Sequence, residues 1–135
     1  YRLRGGQLTQ ITKDHSLLQE QIDAGLITPE QAVGSSIKNL VTRALGVEEV
    51  VALDVNEHAV EPNDTYLMCS DGLSDMVNDE VIARTLGEDT GLALKAEMLV
   101  AAANENGGRD NISVLIVAAS DAMERKGLFA RLLGK

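Results

Sequence analysis

Two acidic residues sit where apolar runs begin or end. Asp71, in Ser70-Asp71-Gly72, follows the run from Thr65 to Ser70, and Asp110, in Arg109-Asp110-Asn111, precedes the run from Ile112 to Ala118. Both runs read as strands, the first without alternation and therefore expected to be buried on both faces. If the two strands are antiparallel neighbours, both carboxylates fall at the same sheet edge. Carboxylates crowded in a low-dielectric place repel each other. A hard cation such as Mg²⁺ or Mn²⁺ relieves that repulsion, since it takes oxygen ligands and keeps several waters. Gly72 would let the backbone come close to such a site, and Asn111 could hold Asp110 by a hydrogen bond. The competing reading of Ser70-Asp71-Gly72 is a plain reverse turn, for which Asp-Gly is a common pair. A calcium loop is disfavoured, because Ser70–Asp75 lacks both the D-x-D-x-D-G spacing and a terminal Glu at the right offset.

The elements that must hold these residues can be read along the chain. Residues 1–12 form two short strands around a Gly5-Gly6 turn. Asp14 or Ser16 caps a helix with Leu17, Leu18 and Ile22 on one face, which Gly25 ends. Thr28-Pro29-Glu30-Gln31 starts another helix, with Thr28 as cap, Pro29 at the first position and Gln31 closing a capping box. Residues 34–46 are ambiguous. In residues 50–60, Val51, Leu53 and Val55 share one side, which predicts a strand, and Glu61-Pro62-Asn63-Asp64 is a turn. Asn78 caps a helix through Val81, Ile82 and Leu86. A longer helix runs from about Gly91 to Asn104, with Lys95 among its apolar positions, and Gly107-Gly108 ends it.

The chain has 135 residues, 44% apolar and 24% charged, which suits one domain or part of one. Tyr1, Tyr66 and Phe129 are its aromatics, so aliphatic side chains must fill the core. A net charge of −9 argues against binding nucleic acid through phosphates. Cys69 is the single cysteine, which excludes an intrachain disulfide and is compatible with a cytoplasmic protein. No run of about 20 apolar residues predicts a membrane span. The last 15 residues carry four basic and two acidic groups, +2 against −11 for residues 1–120. Met123, Leu128, Phe129, Leu132 and Leu133 would form one face of a basic amphipathic tail over 120–135, suited to a membrane surface, to a partner, or simply to docking on its own domain.

ITKDHS at 11–16, TRALG at 42–46, SDG at 70–72 and GGRDNISVLIV at 107–117 occur in this order. Together they closely resemble the bacterial metal-dependent serine/threonine phosphatases of the PP2C (PPM) family, over about residues 1–119. The resemblance implies an α+β fold, part of an α/β/β/α sandwich of two antiparallel sheets flanked by helices, with residues 25–42 as a flap beside the site. It further implies Asp71 and Asp110 as ligands of the first of two catalytic Mn²⁺ or Mg²⁺ ions, and Asp14 with Asp71 as ligands of a third, weaker one. Asn111 and Gly72 support these ligands. Hydrolysis of phosphoserine and phosphothreonine in protein partners would use a metal-activated water and no protein nucleophile. Cys69, in an apolar run with no basic neighbour, reads as a core thiol, and His15 and His58 as structural or solvated.

The family's D-G-M-G-G-H motif and the segment before it are not in these residues. The chain is therefore expected to be the C-terminal part of such an enzyme and inactive alone. The alternative is an interaction module with the same sheet and an incomplete metal site. A half-sandwich would expose sheet edges and an apolar face, which favours self-association.

Overall fold

The computed structural model describes residues 1–32, 37, 40–44, 46, 47 and 50–120. The basic tail at 121–135, the flap residues Gly34, Ser35 and Ser36, and Leu45 of TRALG lie outside the described residues. The chain divides into two units, Tyr1–Ile11 with the part from Ala59 onward, and Thr12–His58.

The first unit is built on a four-stranded antiparallel sheet in the order β2-β1-β3-β4. Strands β1 (Arg2–Arg4) and β2 (Gln7–Thr9) form the expected hairpin. Gly5 and Gly6 turn it at φ of 56° and 82°, a backbone region that excludes most side chains. β3 (Thr65–Cys69) pairs with β1 on one side and with β4 (Val114–Ala118) on the other. A short helix α3 (Asp71–Ser74) follows β3 at once. It is followed by α4 (Asp79–Gly87) and α5 (Leu92–Glu105). Asn78 caps α4 as expected, its side chain accepting from Val81 N–H.

Leu3 and Leu67 on the sheet meet Leu73, Val77, Ile82, Leu86, Leu99 and Ala103 from the helices in one aliphatic core. Lys95 is buried in this unit. Its Nζ donates to the Leu86 carbonyl at 2.6 Å, and a cation there suits the negative end of α4.

Two expectations are corrected here. β3 is not buried on both faces: Met68 is 61% exposed, beside Leu115 at 53% and Val117 at 50% on β4. Helices cover one face of the sheet, and among the described residues no second layer covers the other. Residues 51–60 carry no regular secondary structure, and Leu53 and Val55 are exposed. Their alternation matches a strand, but a strand needs a ladder, and no described strand pairs with them.

The second unit holds α1 (Leu17–Asp23) and α2 (Pro29–Ala32). Of the two cap candidates, Ser16 is the residue used, its side chain accepting from Gln19 N–H at 3.2 Å. The capping box forms as well: Thr28 Oγ1 accepts from Gln31 N–H, and Gln31 Oε1 from Thr28 N–H.

One polar network pins the outer side of the first unit. Asp64 is fully buried, and its carboxylate accepts from Arg4 Nε at 2.7 Å, Arg4 Nη2 at 2.6 Å, Glu61 N–H at 2.9 Å and Tyr66 OH at 3.0 Å. Asn63 takes φ of 69° in the same turn, a conformation Asn tolerates better than most residues. The Arg4 hydrogen bonds hold the Asp64 carboxyl far below the usual carboxylate range. A depressed folded pKa stabilises the fold fully above the unfolded value of ~4 and loses that contribution as pH falls below it. Thermal melts should therefore show an acid limb that steepens below about pH 4. In Asp64→Asn the melting temperature should be lower at pH 7 and the limb shallower. Parallel acid limbs in the two proteins would assign the limb to other groups.

Candidate metal centre

The antiparallel register pairs Leu67 with Ile116, Met68 with Leu115 and Cys69 with Val114. The chain leaving β3 and the chain entering β4 are therefore side by side. Asp71 lies two residues past the last pair and Asp110 four residues before it, so both stand at one end of the same two strands, as expected. Contacts beyond the ladder extend this pairing. Ser70 N–H donates to the Ser113 carbonyl at 3.1 Å. Ser70 Oγ donates to the Asn111 carbonyl at 2.8 Å and accepts from Ser113 N–H at 3.0 Å. Engaged in this way, the Ser70 hydroxyl makes no cap bond to α3.

Gly72 completes the contact. A Cβ at this position would stand 2.3 Å from the Asn111 carbonyl oxygen and 2.9 Å from its carbon. The glycine is therefore required by the close approach of two backbones, as its place in the sequence predicts. It follows that the Asp71 turn and the Asp110-Asn111 segment touch.

Both carboxylates are exposed. Asp71 Oδ1 accepts from Gly72 N–H at 2.9 Å and Asp110 Oδ1 from Asn111 N–H at 2.6 Å. Asp71 also occupies the first turn of α3, where a negative charge suits the helix dipole. The hydrogen bond by which Asn111 holds Asp110 is made by its backbone N–H. The setting is wet, so crowding in a low dielectric is not the feature that marks the pair. No group of three or more His, Cys, Asp or Glu able to hold a metal occurs among the described residues. The two carboxylates offer oxygen donors, the type a hard cation takes.

Asp14 is exposed and belongs to the second unit. His15, next to it, takes part in a polar cluster that sequence reasoning did not find. His15 Nε2 lies 2.6 Å from Asp54 Oδ2, and Arg43 Nη1 lies 3.1 Å from Asp54 Oδ1 and 3.2 Å from His15 Nε2. His58 is exposed. Cys69 is half-buried against the core, and burial pushes its thiol up. Such a thiol is a poor nucleophile. The bridging role of Ser70 was also missed. A serine before Asp-Gly carries no local sign of the strand that its hydroxyl will meet.

No protein-family model matches the chain. It is 41% identical over 117 residues to the serine/threonine phosphatase stp of Listeria welshimeri, a match covering 87% of this chain and 46% of that protein. Among solved structures, the S. agalactiae serine/threonine phosphatase superposes with a TM-score of 0.81 at 34% identity, over 89% of this chain and 49% of that one. The catalytic domain of the serine/threonine protein phosphatase PstP, solved with two manganese ions, gives 0.70 at 44% identity over 90% and 49%. The chain thus spans about half the length of the curated relatives it matches.

Gly72→Ala should force the two backbones apart, at a cost of about 1–3 kcal/mol in urea unfolding. Ser70→Ala, which removes hydrogen bonds without a clash, should cost about 1 kcal/mol. Equal stability of Gly72→Ala and the parent would mean that the Asp110-Asn111 segment moves away without resistance.

Proposed function

Because the chain is the C-terminal part of a bacterial PPM-type serine/threonine phosphatase, we propose that Asp71 and Asp110 ligate one divalent cation, Mn²⁺ or Mg²⁺, in the hydrolysis of phosphoserine and phosphothreonine in protein substrates. The observation that carries this reading is the touching pair of segments. The β3–β4 register, the Ser70 bridges and the glycine-only contact at Gly72 bring two exposed carboxylates to one end of one strand pair. Asp14 is read as a ligand of a further, weaker ion. Cations bound there would supply an acidified water and neutralise charge on the phosphoryl oxygens.

What the chain's own residues contribute is orientation. Asn111 N–H and Gly72 N–H each fix one oxygen of a carboxylate, and among the described residues the second oxygen of each has no hydrogen bond. The exposed row of Met68, Leu115 and Val117 fits a second sheet covering this face, the arrangement of an α/β/β/α sandwich. The domain reading remains 1–119 with a flap near 25–42 and a tail at 120–135. No helix among the described residues is long and apolar enough to cross a membrane. A cytoplasmic location, with phosphoproteins as partners, belongs to the same proposal.

An ion held by only two protein carboxylates keeps most of its waters and binds weakly. With two carboxylates at one strand end, the 135 residues alone are expected to be inactive, and the uncovered sheet face should promote their self-association. The interaction-module reading shares this expectation for the isolated chain and differs for the full-length protein.

Asp71→Asn and Asp110→Asn in the full-length protein should each abolish Mn²⁺-dependent hydrolysis of a phosphothreonine peptide while keeping the parent's circular dichroism. Full activity in either variant would remove that residue from the site. The isolated 135-residue chain should show no Mn²⁺-dependent turnover of p-nitrophenyl phosphate where the full-length protein does. Turnover by the chain alone would mean that its ligands are residues read here as structural, and inactivity of both proteins would favour the interaction module.

A further inference from the structure

The second unit contains a cluster that the metal reading does not use. Three separate stretches meet at one guanidinium. Arg43 Nη1 donates to the Asp54 carboxylate at 3.1 Å and to the Ala52 carbonyl at 3.3 Å, and it lies 3.2 Å from His15 Nε2. His15 in turn lies 2.6 Å from the other oxygen of Asp54. The main chain repeats the connection. Thr42 N–H donates to the His15 carbonyl at 2.8 Å, Leu17 N–H to the Leu40 carbonyl at 2.9 Å, and Ser16 bridges Val41 in antiparallel fashion.

His15 is therefore held twice, by its carbonyl and by its ring. The second hold depends on Asp54, which Arg43 keeps in place. A lone exposed ion pair of this kind contributes little, typically below about 1 kcal/mol. Here one guanidinium nitrogen, Nη1, meets the Asp54 carboxylate, the Ala52 carbonyl and the His15 ring, and the backbone bridge, already holding the two stretches together, lowers the entropy cost of forming the cluster. The residue next to His15 on the N-terminal side is Asp14.

We propose that Arg43 and Asp54 are positioning residues. Through His15 they fix the turn that carries Asp14, and so set how well Asp14 holds its cation. This rests on the reading of Asp14 as a metal ligand given above. The carboxylate of Asp54 is held below its ordinary range first by His15 and then by Arg43, which agrees with its place in the clasp.

The test uses the full-length protein with Asp54→Asn, Arg43→Ala, Arg43→Lys and Asp14→Ala. Amide hydrogen exchange at Leu17 and Thr42 reads the clasp without reference to activity. The Mn²⁺ concentration for half-maximal phosphatase activity reads its consequence. Asp54→Asn and Arg43→Ala should each speed exchange at both amides by about tenfold. They should raise the half-maximal Mn²⁺ several-fold while kcat at saturating Mn²⁺ stays within about twofold of the parent. Arg43→Lys should fall between, since an ammonium keeps the charge but sits on a shorter, flexible stem in place of the planar group. Unchanged exchange would overturn the clasp. Faster exchange with an unaltered Mn²⁺ requirement, where Asp14→Ala raises that requirement, would overturn the positioning role. An Asp14→Ala variant with the parent's Mn²⁺ requirement would remove Asp14 from the metal site, and the positioning role would fall with it. The exchange data would still report on the clasp by itself.

Discussion

The register between β3 and β4 is the constraint on which the rest depends. In an antiparallel pair a slip of one residue turns every side chain to the other face. Here it would bring Met68 into the aliphatic core and expel Leu67, or bring in Leu115 and expel Ile116, according to which strand moves. It would also shift the two strand ends by about 3.4 Å relative to each other, more than the ~2.1 Å of a Mg²⁺–oxygen bond. The packing of leucines on one face thereby fixes the relative position of two aspartates outside the sheet. Ser70 and Gly72 carry the same register past the last ladder pair, one by a hydroxyl bridge and the other by the lack of a side chain.

At its opposite end the same strand pair is secured by charge. Asp64 immediately precedes β3, and its carbonyl accepts from the N–H of Ala119, just beyond β4, at 2.8 Å. Burying a carboxylate is costly unless it is paired and fully hydrogen-bonded. Arg4, Tyr66 and the Glu61 amide meet that requirement together. β3 is thus held by an ionic network before its first residue and by a neutral backbone contact after its last. The buried, satisfied end suits structure, and the exposed carboxylates at the other end suit a ligand.

Local signals were legible wherever the deciding contact is local. The Gly5-Gly6 hairpin, the Thr28–Gln31 capping box and the Asn78 cap each depend on residues within four positions, and each formed as read. The adjacency of Asp71 and Asp110 was legible as a condition on strand pairing, and the pairing meets it. The exposure of Met68 was not legible, because an unbroken apolar run does not say how many layers will cover it. Val51, Leu53 and Val55 have the alternation of a strand and no ladder among the described residues, since alternation specifies a face and leaves the partner open. The Arg43–Asp54–His15 cluster was invisible for a related reason. Its members are 11 to 39 residues apart, and although His15 and Arg43 lie in the ITKDHS and TRALG motifs, nothing in either motif says that the two meet or that Asp54 joins them.

Arg4 and Asp64 meet across 60 positions of chain. Most of that stretch is the Thr12–His58 unit, an excursion that leaves the sheet after its edge strand β2 and returns to it at β3. The entropy of closing such an excursion grows only with the logarithm of its length, so doubling it would cost about 0.6 kcal/mol. The sheet is thus nearly indifferent to how long that stretch is. Insertions and deletions can accumulate there, and whole substitutes can be grafted in, without disturbing the strand ends at Asp71 and Asp110. The fold therefore separates the part of the chain that can diversify from the part that must keep its register.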